Sequence, residues 1–295
     1  MLMQQSFDLP VYISKFIHHL ARQKYSRETI VGYGKDLKKF SDYLLTQYSG
    51  NILTEEIEKE DLKDFVSMLE TSGLKPNSVA RHLSSLKSFY NFLVCEMNFA
   101  INVGAQIKQP KLFTPLPTIL TPEEVERFLH AASEHSTYYH VLFSVLYYTG
   151  SRITPVITLR KKHVDLTSNK VYFPVTKNGR DLHLPLHDKL IRLLDDYLYM
   201  QKSNGSEYVF PSPKSSSKPI SATEVRKKMD LIKKRAGISK RMTPHLLRHC
   251  MATHLTILGV DQKYIASILG HVDLRATARY QQLNIDNLRP AINKI

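Results

Sequence analysis

The sequence predicts a two-domain, mainly α protein with a small antiparallel β-sheet: a helical domain followed by an α+β domain. Three observations carry this reading. Apolar residues recur at helical spacing through most of the chain. One Asn-Gly pair sits between two apolar runs, the strongest short hairpin signal. A proline-bearing stretch coincides with a step in charge, and 295 residues are enough for two buried cores.

The first domain, residues 1–110, reads as all helix. From Pro10 to Arg22 the apolar residues Val11, Ile13, Phe16, Ile17 and Leu20 lie close to helical spacing. Residues 26–47 repeat the pattern, with Ser26 and Thr29 as candidate caps and Ile30, Tyr33, Leu37, Phe40, Tyr43 and Leu44 on one face. Residues 61–70 and 77–97 complete four helices, with Gly73, Pro76 and Asn77 punctuating the last turn. The fourth helix carries Lys75, Asn77, Ser78, Arg81, His82, Ser84, Ser85, Lys87 and Ser88, a polar face able to bind phosphate or simply to face water. Of these, Lys75, Asn77, Arg81 and Lys87 are the candidate phosphate contacts.

Residues 111–119 read as a linker, because Pro110, Pro115 and Pro117 oppose a helix through them. Residues 1–110 carry 13 Lys/Arg against 12 Asp/Glu, whereas residues 111–295 carry 28 against 15. The second domain, residues 120–295, opens with Thr121-Pro-Glu-Glu124, a helix cap with Pro at the first helical position. An apolar helix over 138–148 stops at Gly150. Lys170–Thr176 and Asp181–Leu186 flank Asn178-Gly179 as a hairpin. Residues 187–200, 221–236, 243–258, 261–269 and 274–283 read as helices. Gly205, Pro211, Pro213 and Ser215–Ser217 mark an exposed loop.

Lys and Arg outnumber Asp and Glu by 41 to 27, a net charge of +14 and a pI near 9.6. That surplus favours a polyanionic partner, nucleic acid first. No apolar run approaches the length of a membrane span. Met1–Pro10 lacks the basic and apolar regions of a signal peptide. Cys95 and Cys250 are too few for a disulfide framework or a Cys-based zinc site, so a reducing cytoplasm is the expected compartment. Secreted mini-proteins, membrane proteins and zinc-finger readers are therefore not expected.

Four local patterns in the basic domain carry chemistry: Thr149-Gly-Ser-Arg152, Lys177 in the hairpin turn, His245-Leu-Leu-Arg248-His249, and Leu269-Gly-His271 followed nine residues later by Tyr280. Each has an ordinary reading alone. Arg152 suits a surface charge and Lys177 a polar turn. His245 and His249, four apart, suit a metal pair, but no Cys or carboxylate supports them at ligand spacing. Together they suit DNA strand breakage. A phosphodiester resists nucleophiles, and opening it requires a nucleophile, neutralisation of the non-bridging oxygens and a proton for the leaving oxygen. Guanidinium pairs clamp phosphoryl oxygens through forked hydrogen bonds, while Lys and His supply proton transfer.

In this order the set resembles the tyrosine recombinase, or phage integrase, family. The resemblance spans the second domain, and the four-helix first domain is similar to that family's SAM-like core-binding domain. The compact length resembles the Xer-like and transposon-resolvase members. The resemblance implies a site-specific recombinase acting through a 3′-phosphotyrosyl intermediate, without metal, nucleotide or other cofactor. It implies Tyr280 as nucleophile, Arg152 and Arg248 on the scissile phosphate, and Lys177 as general acid for the 5′ hydroxyl. It also implies His245 as base or proton relay and His271 as a phosphate hydrogen-bond donor. A type IB topoisomerase uses similar chemistry, and a non-catalytic DNA-binding protein is the alternative outside enzymes. The family usually carries an acid three residues after the first Arg; here that position is Pro155, with Thr154 expected as a helix cap. Cys250 reads as a packed residue. In the tail, residues 284–295, Ile285, Leu288, Ile292 and Ile295 form one apolar stripe. A stripe this small must dock on something: its own domain is one reading, and the resemblance implies the other, a neighbouring protomer of a homotetramer on two synapsed duplexes, the free protein being a monomer or weak dimer.

Overall fold

The computed structural model describes residues 8–50, 53–110, 118–174, 181–202 and 205–270. The chain divides into two compact units, Met1–Pro115 and Leu116–Ile295.

The first unit is built from α1 (Leu9–Arg22), α2 (Arg27–Gln47), α3 (Lys59–Thr71) and α4 (Pro76–Met97), with short 3-10 turns at Thr54–Glu56 and Val103–Gln106. Each helix buries one apolar stripe: Tyr12, Phe16 and Leu20; Leu37, Phe40 and Leu44; Leu62, Phe65 and Leu69; Val79, Leu83, Leu86 and Tyr90. These three- and four-residue spacings give four faces that close on one core. On α1, Tyr12 rather than Val11 points inward, because the face follows Phe16 and Leu20 at four-residue steps. Ser26 is the cap of α2, accepting the Thr29 N–H at 3.2 Å. Pro76 stands in the first turn of α4, where its missing N–H leaves no bond unmade.

The expected polar face of α4 is split. Lys75, Asn77 and Arg81 are exposed, but His82 and Ser85 are buried. Both turn toward Asp36 of α2, which is also buried. A buried carboxylate needs charge or hydrogen-bond partners, and that demand outweighs the preference of polar side chains for water.

The second unit contains α5 (Pro122–His135), α6 (Thr137–Thr149), α7 (Ile153–Ile157), β1 (Val164–Asp165), β2 (Lys170–Phe173), β3 (Leu182–Pro185), α8 (Asp188–Met200), β4 (Pro211–Ser212), β5 (Ser215–Pro219), α9 (Ala222–Arg235), α10 (Pro244–Ile257) and α11 (Gln262–Leu269). The architecture is mostly helical with small antiparallel sheets. Val141, Leu142, Phe143, Val145 and Leu146 of α6 are all buried, the signature of a helix surrounded by others. β1, β2 and β3 form one antiparallel sheet in that order, with Val171 opposite Leu184 and Phe173 opposite Leu182. Val171, Phe173 and Leu184 face the core. The expected hairpin is thus present in its strands; its Asn178-Gly179 turn lies outside the described residues, as do the expected helix 274–283 and the tail 284–295.

Two expectations change. Residues 205–217 are not all loop: β4 pairs with β5, Ser212 opposite Ser215. The strands carry prolines and outward serines rather than apolar alternation, a composition suited to an edge hairpin. And α7 starts at Ile153, with Arg152 at its N-cap and Pro155 at the third helical position. Pro155 is still within the first turn, whose N–H groups have no helical acceptors, so Thr154 is not needed as a cap.

The entrance to the second unit is pinned to α10. Thr121 accepts the Glu124 N–H at 3.2 Å and the Glu124 carboxylate accepts the Thr121 N–H at 2.8 Å. Lys240 donates to Glu124 at 2.6 Å and to the Ile119 carbonyl at 3.0 Å. The Leu120 N–H donates to the Cys250 sulfur at 3.3 Å, and the Leu120 carbonyl lies 2.9 Å from Nε2 of His254. That carbonyl can only accept, so Nε2 carries the proton, and Nδ1 accepts from the Tyr147 hydroxyl at 2.8 Å. Cys250 is packed, and burial pushes its thiol up to about 11. Thr121→Ala should lower the stability of the chain by about 1 kcal/mol, read as a shifted denaturation midpoint at unchanged slope, while Thr121→Ser should be near neutral. Equal stability of all three proteins would contradict the capping account.

Candidate active site

The centre of the site is one turn of α10. Thr243 caps this helix by accepting the Leu246 N–H at 3.2 Å, and Pro244 occupies its first turn. From there His245, Arg248 and His249 follow at helical steps of three and four, while Leu246, Leu247 and Cys250 pack into the core. His245 is exposed and His249 half-buried, with ring centroids 4.8 Å apart, edge to face.

Arg248 is only 2% exposed. Its Nη1 donates to the Gly150 carbonyl at 2.7 Å and its Nη2 to the Leu269 carbonyl at 2.8 Å. Gly150 is the C-cap of α6 and Leu269 the last residue of α11. Carbonyls at helix C-termini lack helical donors and carry the negative end of the helix dipole. Two helix ends therefore offset part of the cost of burying this guanidinium. Gly150 has φ +57°, and a Cβ there would fall 2.0 Å from the Met251 methyl and 3.1 Å from a Leu269 methyl. The left-handed φ favours glycine here, and a larger residue would also require the Met251 side chain to move.

The same turn carries Arg152. Two residues beyond the carbonyl that holds Arg248, the backbone leaves Gly150 through buried Ser151, and Arg152 emerges half-buried at the start of α7. Among the described residues no carboxylate pairs with Arg152, and Pro155 offers none. The turn 149–152, the middle of α10 and the end of α11 are thus gathered around one buried cation. Lys177, His271 and Tyr280 lie outside the described residues. In sequence, Lys177 belongs to the connection between β2 and β3, and His271 directly follows Gly270, the C-cap of α11. Among the described residues no cluster of three His, Cys, Asp or Glu could hold a metal ion, and no helix is long and apolar enough to cross a membrane.

Of the candidate contacts on the first unit, Lys75 and Asn77 are exposed at the start of α4, Arg81 is half-exposed beside Asp36, and Lys87 is partly covered near Gly104. Sequence reasoning missed the two carbonyls that hold Arg248. Every residue has a carbonyl, and only the fold shows which ones converge; the glycine at 150 was the accessible sign.

Residues 118–286 match the phage integrase family, and residues 13–97 match the phage integrase N-terminal SAM-like domain. A tyrosine recombinase of Thermosipho africanus is 31% identical over 290 residues, covering 96% of this chain and 99% of that protein. Tyrosine recombinase XerD of Listeria innocua is 30% identical over 281 residues, 91% of this chain and 92% of its own. Among solved structures, the XerA recombinase is 26% identical with a TM-score of 0.55, covering 97% of this chain and 98% of that one. The Tn1549 transposon integrase in complex with a circular intermediate DNA has a TM-score of 0.80 at 17% identity, covering 98% of this chain and 100% of that one, a likeness of fold alone. The chain belongs to the phage integrase family of tyrosine recombinases, enzymes that cleave and rejoin DNA.

Proposed function

We propose that this recombinase acts at a specific DNA site and opens one strand at a time through a covalent bond to Tyr280. The observation that carries the reading is the buried guanidinium of Arg248, held between the turn that bears Arg152 and the helix end that leads to His271. In this reading Arg152 and Arg248 neutralise the non-bridging oxygens of the scissile phosphate. The Tyr280 oxygen attacks phosphorus and its proton passes to His245. The P–O5′ bond breaks, and Lys177 gives its proton to the departing 5′ oxygen. His271 donates a hydrogen bond to the phosphate.

One phosphoester bond replaces another, so the strand can be rejoined by the reverse steps with no energy-supplying nucleotide. A 5′ hydroxyl from a second duplex attacks the 3′-phosphotyrosyl bond, and Tyr280 leaves. The charge step along the chain supports the second unit as the main seat of phosphate contact, with Lys75, Asn77, Arg81 and Lys87 adding contacts from the first. A lambda integrase tetramer is known bound to a Holliday junction. For this chain we infer a homotetramer on two synapsed duplexes, linked by the apolar stripe of residues 284–295 docking on a neighbour.

Tyr280→Phe should retain DNA binding and form no covalent complex on a nicked suicide substrate, scored by denaturing gel. A covalent adduct that survives in this variant would sink the assignment. Lys177→Ala should slow cleavage by roughly 10²–10⁴-fold, the range for loss of a general acid. A substrate with sulfur at the 5′-bridging position leaves without a proton and should largely restore that variant. Equal defects on both substrates would show that Lys177 is not the acid.

A further inference from the structure

Away from the site just described, the first unit holds one carboxylate in its core. Asp36, midway along α2, is 2% exposed. Its Oδ2 accepts from Nη1 of Arg81 and, at 2.7 Å, from the Ser85 hydroxyl; its Oδ1 lies 3.2 Å from Nδ1 of His82. Burial holds the His82 imidazole below its usual pKa against the opposing pull of Asp36, and the charges of Arg81 and Lys39 act with burial. The charge that answers Asp36 is therefore Arg81.

Arg81 itself is not buried. Its side chain is 54% exposed, four residues after exposed Asn77 on the same face of α4. A guanidinium has five N–H donors in a rigid plane. Asp36 fixes one end of that plane, while about half of the side chain faces solvent. An arginine on a long side chain otherwise samples many rotamers and loses that freedom on binding an anion. Anchored at Nη1, it is ordered before the anion arrives.

We propose that Asp36 is a positioning residue for DNA binding, orienting the Arg81 guanidinium toward a backbone phosphate. The proposal rests on the recombinase reading above and extends it to the first unit. Its sign separates it from simple electrostatics. Deleting an acid beneath a cationic surface should strengthen binding to a polyanion. Deleting an acid that orients the contacting arginine should weaken it.

The test is the affinity of the full chain for a short fluorescein-labelled duplex of mixed sequence, measured across a salt series. Wild type, Asp36→Asn, Arg81→Ala and the double variant are compared, with thermal melts confirming the folded fraction. Arg81→Ala should weaken binding and reduce the salt slope by about 1. Asp36→Asn should weaken binding on the order of 10-fold, as for loss of a hydrogen bond to a charged group. In the Arg81→Ala background it should leave affinity unchanged or raise it. Three results would overturn the proposal: stronger or unchanged binding by Asp36→Asn alone, an equal loss in both backgrounds, which marks a purely structural acid, or no effect of Arg81→Ala. None of these touches covalent-complex formation by Tyr280, which tests the recombinase reading separately.

Discussion

The second unit is organised around one buried cation. Arg248 sits in the core with hydrogen bonds to the carbonyls of Gly150 and Leu269, so the ends of α6 and α11 converge on α10. The two carbonyl oxygens fix the orientation of the group. The arrangement reaches outward: Gly150 holds a left-handed φ of +57° that favours glycine, and Val141, Leu142, Phe143, Val145 and Leu146 of α6 are buried in the unit that the helix enters. On its far side α10 is tied through Cys250 and His254 to Leu120, where the chain enters the unit.

Much of this is legible in the sequence. The helices of the first unit follow from apolar spacing, and the cap at Thr121 and the stop at Gly150 are local chemistry that neighbours do not override. Three features were not legible. β1 is two residues long and β4–β5 carry prolines and serines, so neither shows a period. The inward turn of His82 and Ser85 depends on a carboxylate on another helix, Asp36, which helical spacing on α4 alone does not reveal. The start of α7 is a third case: Thr154-Pro155 has the composition of a cap, but the helix begins earlier because Pro155 is tolerated anywhere in the first turn.

For the site, ordered spacing singled out Arg152, His245 and Arg248, and the fold brings the turn of Arg152 and the helix of His245 and Arg248 to one place. Spacing could not show that Arg248 is buried whereas His245 is exposed. It also could not show that no described acid supports Arg152. Both are properties of packing. In Arg248 they leave a group that is structural and electrostatic at once, and its removal would disturb the core as well as any phosphate contact.

The measurement that separates those roles is cleavage by Arg248→Ala of two nicked suicide substrates, one with an ordinary scissile phosphodiester and one with an uncharged methylphosphonate there. If Arg248 neutralises the phosphate, the variant loses on the order of 10²–10³-fold on the phosphodiester, as for removal of one donor to a developing oxyanion, and recovers most of that loss on the methylphosphonate. An equal loss on both substrates would contradict the account and leave Arg248 as a residue of the core alone.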